Sequence, residues 1–357
     1  MDILFFPFYF INLFIIITSH SNYSNEKICS YKNKYMDIFK DIIIPISMAL
    51  DDAYIYPTIV SITSIMINSN KNTKYIFYIM HPTEFKIENK KKLKSLEKKY
   101  NKCIINLIDM EGKYKNAWTS GRVTTPAYYR LSLPIILSDI DKILWLDGDT
   151  LILTDLKEMY DINMEGFYYK GFLDTVPDDV DIFTTENDHA ICTGVMIINL
   201  DELRKDDMMN KVHKFMKEKK EILSKKKYHD QTLINAVCYH KVGILPPKFG
   251  IFNTINSFNR IHYLCTKTYR YKNKYTEKEL INAYYNPAIL HFIAKPWKIE
   301  KCLHQDLWWE YAKKTDYFDE MYQIYLKQKK HKNPKKKFKK IIKIILIIGI
   351  ILFYIKI

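Results

Sequence analysis

The chain is expected to adopt an α/β fold, a single Rossmann-like domain around a mixed, mostly parallel central sheet. Short apolar runs alternate with helix-like stretches through the first 110 residues. Acidic residues follow those runs, as in sheets that bind ligands beyond the carboxyl ends of their strands. A chain of 357 residues is also long enough to bury one substantial core.

The elements follow in order. DIIIPISMA, residues 41–49, reads as a strand that stops at Asp51 and Asp52, and a helix opens at Pro57 and runs through Ile67. KYIFYIM (74–80) is the next strand, Ile87 to Tyr100 an exposed lysine-rich helix, and CIINLID (103–109) a third strand. After DKILWLDGDTLILT (141–154) the pattern turns mixed, with strands at YYKGFLD (168–174) and GVMIINL (194–200). Residues 200–220 read as one amphipathic helix, and further helices are expected at 228–240, 276–284 and 304–326.

Asp147 and Asp149 are the strongest sign of chemistry. An Asp-x-Asp at a strand end aims two carboxylates at one divalent cation, and Gly148 is expected to let the backbone turn without steric cost. A polar turn between two buried strands would carry the same Asp-Gly dipeptide. Asp51 and Asp52 fall at the same sheet edge, and either one would also serve as a helix N-cap.

Composition narrows the classes. With nine glycines, the chain has no Gly-x-Gly-x-x-Gly and no Walker loop, so any diphosphate must be held by a metal and side chains. The six cysteines form neither a zinc spacing nor a Cys-x-x-Cys pair. Asn22 heads the one Asn-x-Ser acceptor. The formal charge is +15, but nine lysines between Lys327 and Lys340 lie in a stretch without acids, and removing them leaves +6. That run has a single aromatic, Phe338, and adjoins the apolar KIILIIGIILFYIKI, which argues for a membrane surface and against nucleic acid. Residues 1–20 read as a signal peptide or N-terminal anchor, 311–340 as a helical, Lys-rich tail, and 341–357 as a membrane-associated segment. A membrane-associated protein is therefore expected, in the secretory pathway or at the cytoplasmic membrane face.

LDD at 50–52, YYRL at 128–131, LDGD at 146–149, HDQ at 229–231 and ILHFIAKPW at 289–297 occur in the order of one known family. Over residues 41–310 the chain resembles glycosyltransferase family 8, retaining enzymes of the GT-A fold. The resemblance implies a hexosyltransferase that moves galactose or glucose from a UDP-sugar to a glycan or lipid-linked acceptor, with Mn²⁺ or Mg²⁺ as cofactor. It implies metal ligation by Asp147, Asp149 and His291, and puts Ala49, Leu50, Asp51, Asp52, Tyr54, Arg130 and Gly148 in the donor pocket with them. It makes Lys295 the partner of the leaving phosphate and sets Asp174, Asp230 and Gln231 around the donor sugar.

The chain departs from the family pattern at Ala53, Cys192 and Thr232, and its His-to-Lys spacing before Pro-Trp is short. Those departures leave open a second reading, an inactive sugar-nucleotide or glycan binder of the same fold. An aspartate-based phosphatase fits poorly, because such enzymes need Thr or Val two residues after the second acid, where this chain has Leu151.

Overall fold

The computed structural model describes residues 41–119, 124–174, 190–225, 229–255, 258–267, 274–298 and 301–329. The described residues from Ile43 onward belong to one unit. Its centre is a seven-stranded sheet of order β3-β2-β1-β4-β7-β6-β8. These strands are β1 (Ile42–Ala49), β2 (Thr73–His81), β3 (Cys103–Asp109), β4 (Lys142–Leu146), β6 (Tyr169–Leu173), β7 (Ile191–Asn199) and β8 (Val242–Ile244). The pairs β1/β4, β2/β3 and β6/β8 are parallel, and β7 runs antiparallel to both β4 and β6. The expected mixed, mostly parallel sheet is therefore present.

β1 is buried because its apolar run has no polar alternation, as a strand covered on both faces requires. It also carries Pro45 without an amide N–H; its register with β4 begins one residue later, at Ile46↔Leu144. The helix α1 (Ile55–Asn68) follows, and its small hydroxyl residues face inward rather than to solvent. Ser61 Oγ lies 3.1 Å from Thr150 Oγ1, the amide of Ile152 donates to Ser64 Oγ at 2.9 Å, and Asn68 Nδ2 donates to the carbonyl of Ile152 at 2.9 Å. These bonds pin β5 (Thr150–Ile152) against α1.

β5 belongs to a second sheet of order β5-β10-β9, with β9 (Phe249–Phe252) and β10 (Ile289–His291). An apolar cluster of Phe172, Phe252, Phe292, Trp297 and Trp308 joins this small sheet to the main one. Another cluster, around Tyr129, Trp145, Tyr169 and Met196, includes Leu233 and Ile234.

Several sequence expectations are corrected here. The helix expected over 200–220 divides into α3 (Leu200–Lys205) and α4 (Met208–Glu218), because Asp207 sits at φ 48 in the left-handed region. The helix at 228–240 is α5 (His229–Cys238), and 276–284 is α7 (Glu277–Tyr285), preceded by α6 (Phe258–Lys267). The stretch 304–326 holds α8 (Gln305–Ala312) and a separate helix over 318–329. α2 (Ile87–Lys99) matches its expected bounds within one residue.

The membrane expectation is overturned: among the described residues, no helix is long and apolar enough to cross a membrane. A span needs about 20 apolar residues, and α1, apolar as it is, has 14. The apolar ends at 1–20 and 341–357, and most of the lysine run, lie outside the described residues.

Candidate active site

Parallel pairing of β1 with β4 brings Ala49 and Leu146 to the same sheet edge, so Asp51, Asp52, Asp147 and Asp149 emerge together. Beyond β4 the chain turns sharply: the amide of Asp147 donates to the carbonyl of Gly194 at 2.8 Å, and that of Thr150 to the carbonyl of Asp147 at 3.2 Å. The turn is made without Gly148 entering the left-handed region. Glycine is required there for space, since a Cβ would sit 2.3 Å from Thr58 Oγ1 on α1.

β5 leaves this turn and pairs antiparallel with β10 in a register that sets Thr150 opposite His291. The imidazole thus reaches the carboxylates from a position 142 residues beyond Asp149 in the chain. Asp147, Asp149 and His291 offer ligand atoms that all lie within 4.8 Å of one another.

The donor set fits a small divalent cation. Asp149 is 5 % and His291 5 % exposed. Asp149 Oδ1 lies 3.1 Å from His291 Nε2, yet it has no hydrogen-bond partner among the described residues. An unsatisfied buried carboxylate oxygen costs stability unless something binds it. Metal–ligand bonds of ~2.1 Å at right angles place neighbouring donors roughly 3 Å apart, and Asp149 Oδ1 and His291 Nε2 stand 3.1 Å apart. A Cβ on Gly194 would lie 2.9 Å from both Asp147 Oδ2 and His291 Nε2, so the missing side chain leaves the space these two atoms face. Mixed carboxylate and imidazole donors suit Mn²⁺ or Mg²⁺ beside phosphate oxygens.

Opposite charges pair within the cleft. Burial works against ionising Asp149, but the Lys295 ammonium and His291 outweigh it and hold the carboxyl well below its usual range. Lys295 Nζ donates to Asp149 Oδ2 and, at 2.6 Å, to the carbonyl of Phe292. Burial opposes a charged imidazole, yet the Cys192 sulfur and the Asp149 carboxylate push His291 up to about 10. Cys192 Sγ lies 3.7 Å from His291 Nδ1, on the ring edge away from Asp149.

Arg130 ties the two ends of the cleft. Its Nη2 donates to Asp147 Oδ1 at 3.1 Å, its Nε lies 3.2 Å from Asp230 Oδ2 and donates to the carbonyl of Ala127 at 2.9 Å, and its Nη1 donates to the carbonyl of Thr193. Burial raises the Asp230 carboxyl above its ordinary value, with the Arg130 guanidinium opposing that shift. Gln231 Nε2 donates to Asp174 Oδ2 at 2.7 Å, and its Oε1 accepts from the amide of Thr193 at 3.2 Å. Asp174, Asp230 and Gln231 are all buried, so they form one joined wall.

The candidates after β1 divide in their contacts. Tyr54 meets the edge of Trp297 with ring centres 6.2 Å apart, and its phenol is raised by burial and by the charges of Asp149 and Asp147. Asp51 caps the following turn by accepting from the amide of Ala53 at 3.0 Å. Asp52 accepts from the amide of Lys86 at 3.1 Å and from Asn89 Nδ2 at 2.7 Å, at the start of α2. The Leu50 side chain is in the core, and Ala49 packs against it. Sequence reasoning did not find Trp145, Thr193 or Gly194. Trp145 lies two positions before Asp147, on the same strand face, which was the one available signal.

The family model described as Glycosyl transferase family 8 matches residues 45–301. General stress protein A of Bacillus subtilis is 26% identical over 287 residues, covering 77% of this chain and 95% of its own. Lipopolysaccharide 1,2-glucosyltransferase of Escherichia coli is 29% identical over 297 residues, 78% of either chain. Among solved structures, the galactosyltransferase LgtC, in complex with donor and acceptor sugar analogues, superposes with a TM-score of 0.64 at 19% identity over 76% of this chain and 96% of that one. The bifunctional glycosyltransferase WbbM superposes at 0.63 with 20% identity over 80% of this chain, which spans about half of that larger protein, 52%. These structural likenesses carry the fold, which is GT-A.

Proposed function

This chain belongs to glycosyltransferase family 8, and from that premise we propose that it moves a hexose, galactose or glucose, from a UDP-sugar to a glycan or lipid-linked saccharide with retention of configuration. The observation that carries the proposal is the convergence of Asp147, Asp149 and His291, with Asp149 Oδ1 3.1 Å from His291 Nε2, beside the Lys295 ammonium. Relatives named as a glucosyltransferase and a galactosyltransferase support a hexose donor. A neighbour solved with an acceptor sugar analogue supports a saccharide acceptor.

Asp147, Asp149 and His291 would hold Mn²⁺ or Mg²⁺, which when bound neutralises the charge of a nucleoside diphosphate. Lys295, paired with Asp149, would shift that ion pair to the departing phosphate, where negative charge grows. Arg130 braces Asp147 from behind and spans the distance to Asp230.

Retention needs either an enzyme nucleophile or attack on the face the leaving group departs from. The amide of Gln231 is a poor nucleophile, and the buried Asp230 is engaged by Arg130. Same-face attack therefore fits best: the Gln231 carbonyl steadies positive charge on the sugar while the leaving phosphate takes the acceptor proton. Asp174, tied to the Gln231 amide, would hold that amide in one orientation.

Radiolabelled UDP-galactose, UDP-glucose, UDP-xylose and the N-acetylated UDP-sugars, each incubated with the protein and Mn²⁺, test the proposal. UDP release is expected from a hexose donor, lost with EDTA and restored by excess Mn²⁺. Binding of every donor without hydrolysis, or phosphate release from simple monoesters alone, would contradict it.

A further inference from the structure

Trp145 and Asp147 lie two residues apart along one strand direction, so both side chains emerge on the same face. The indole is buried, 1 % exposed, between Ser47 of β1 and Met196 of β7, its register partners. Its Nε1–H donates to Asp147 Oδ1 at 2.8 Å. The Arg130 guanidinium rests on its π face, 4.3 Å from the ring centre, and donates to the same carboxylate oxygen at 3.1 Å.

Two N–H donors thus occupy Oδ1, and Oδ2 is the oxygen facing the space above Gly194 that His291 Nε2 also faces. A core-filling role would need only an apolar ring. The bond to a carboxylate and the cation stacked above it ask more of this side chain.

We propose that Trp145 is a positioning residue that presents Asp147 to the cation through Oδ2 alone and serves as the platform holding Arg130 between Asp147 and Asp230. This rests on the cation-dependent function proposed above. The two effects of the indole separate by chemistry: the N–H orients the carboxylate, and the π face supports the guanidinium.

The probe is Mn²⁺ in the presence of UDP, with free Mn²⁺ counted by electron paramagnetic resonance on the full chain. An isostere, β-(3-benzothienyl)alanine at position 145, keeps the bicyclic ring and removes only the N–H; Trp145→Phe removes the N–H with a smaller ring. Both proteins are expected to bind Mn²⁺ about tenfold more weakly, the size typical of losing a partner that orients a metal ligand. The isostere is also expected to unfold at the parent temperature, a combination that mere packing would not give. Parent-like Mn²⁺ affinity in the isostere protein overturns the role of Trp145 while leaving the cation site standing. A parent protein that binds no Mn²⁺ with UDP overturns the cation site and this inference with it.

Discussion

Gly148 separates the two candidate metal carboxylates because Thr58 needs the room, and this contact makes a test at the scale of single residues. Its Cβ would approach Thr58 Oγ1 to 2.3 Å in a buried position, and that hydroxyl has no hydrogen-bond partner among the described residues to lose. Gly148→Ala is expected to cost about 1–3 kcal/mol as overpacking, and adding Thr58→Ala is expected to recover most of it. Denaturant unfolding of the two singles and the double checks this; equal losses in both backgrounds would contradict it. His291 offers a pH test. Raised to about 10, the ring holds a proton at neutral pH, and ligation must displace it. Mn²⁺ affinity should therefore rise with pH below that value, by about tenfold per unit, with one proton released per ion. Calorimetry in buffers of different ionisation enthalpy reads the proton; a heat independent of buffer would contradict the assignment. The acids, His291 and Lys295 were legible because motif order carries them. Trp145 and Gly194 were not, since an indole bond to a carboxylate and a gap where a Cβ would stand exist only once β4 and β7 are paired.

At the scale of elements, the site depends on a register that no local pattern announces. β5 and β10 have three residues each and β9 four, too short for alternation to be read, yet the Thr150↔His291 pairing delivers the imidazole. The longer β1, β2, β3 and α2 were legible because their apolar runs or helical periods persist over 7 to 13 residues. The helix expected at 200–220 failed at Asp207, where the amphipathic pattern continues through a break in the backbone. Asp52 belongs to this scale as well. Lys86, the N-cap of α2, makes no side-chain cap bond, and Asp52 supplies an acceptor from across the fold. Asp52→Ala is expected to lower stability by about 1 kcal/mol, the usual cost of a lost cap, with UDP affinity little changed. Lost UDP binding at unchanged stability would instead make Asp52 a ligand contact.

Across the whole molecule, the two sheets meet at the cleft, and a ligand held there belongs to the folded state alone. Mn²⁺ with UDP at a hundredfold excess over its dissociation constant should add about 2.7 kcal/mol to stability, a gain that EDTA removes and that Asp149→Ala largely abolishes. Thermal unfolding with and without chelator measures it. The central claim is that Asp147, Asp149 and His291 share one cation. An anomalous difference map at the manganese edge, from crystals grown with UDP and Mn²⁺, tests it most directly. The account predicts a single peak bonded to one oxygen of each aspartate and to His291 Nε2, with the diphosphate on its open side. UDP in the cleft with no peak among those three side chains would contradict it.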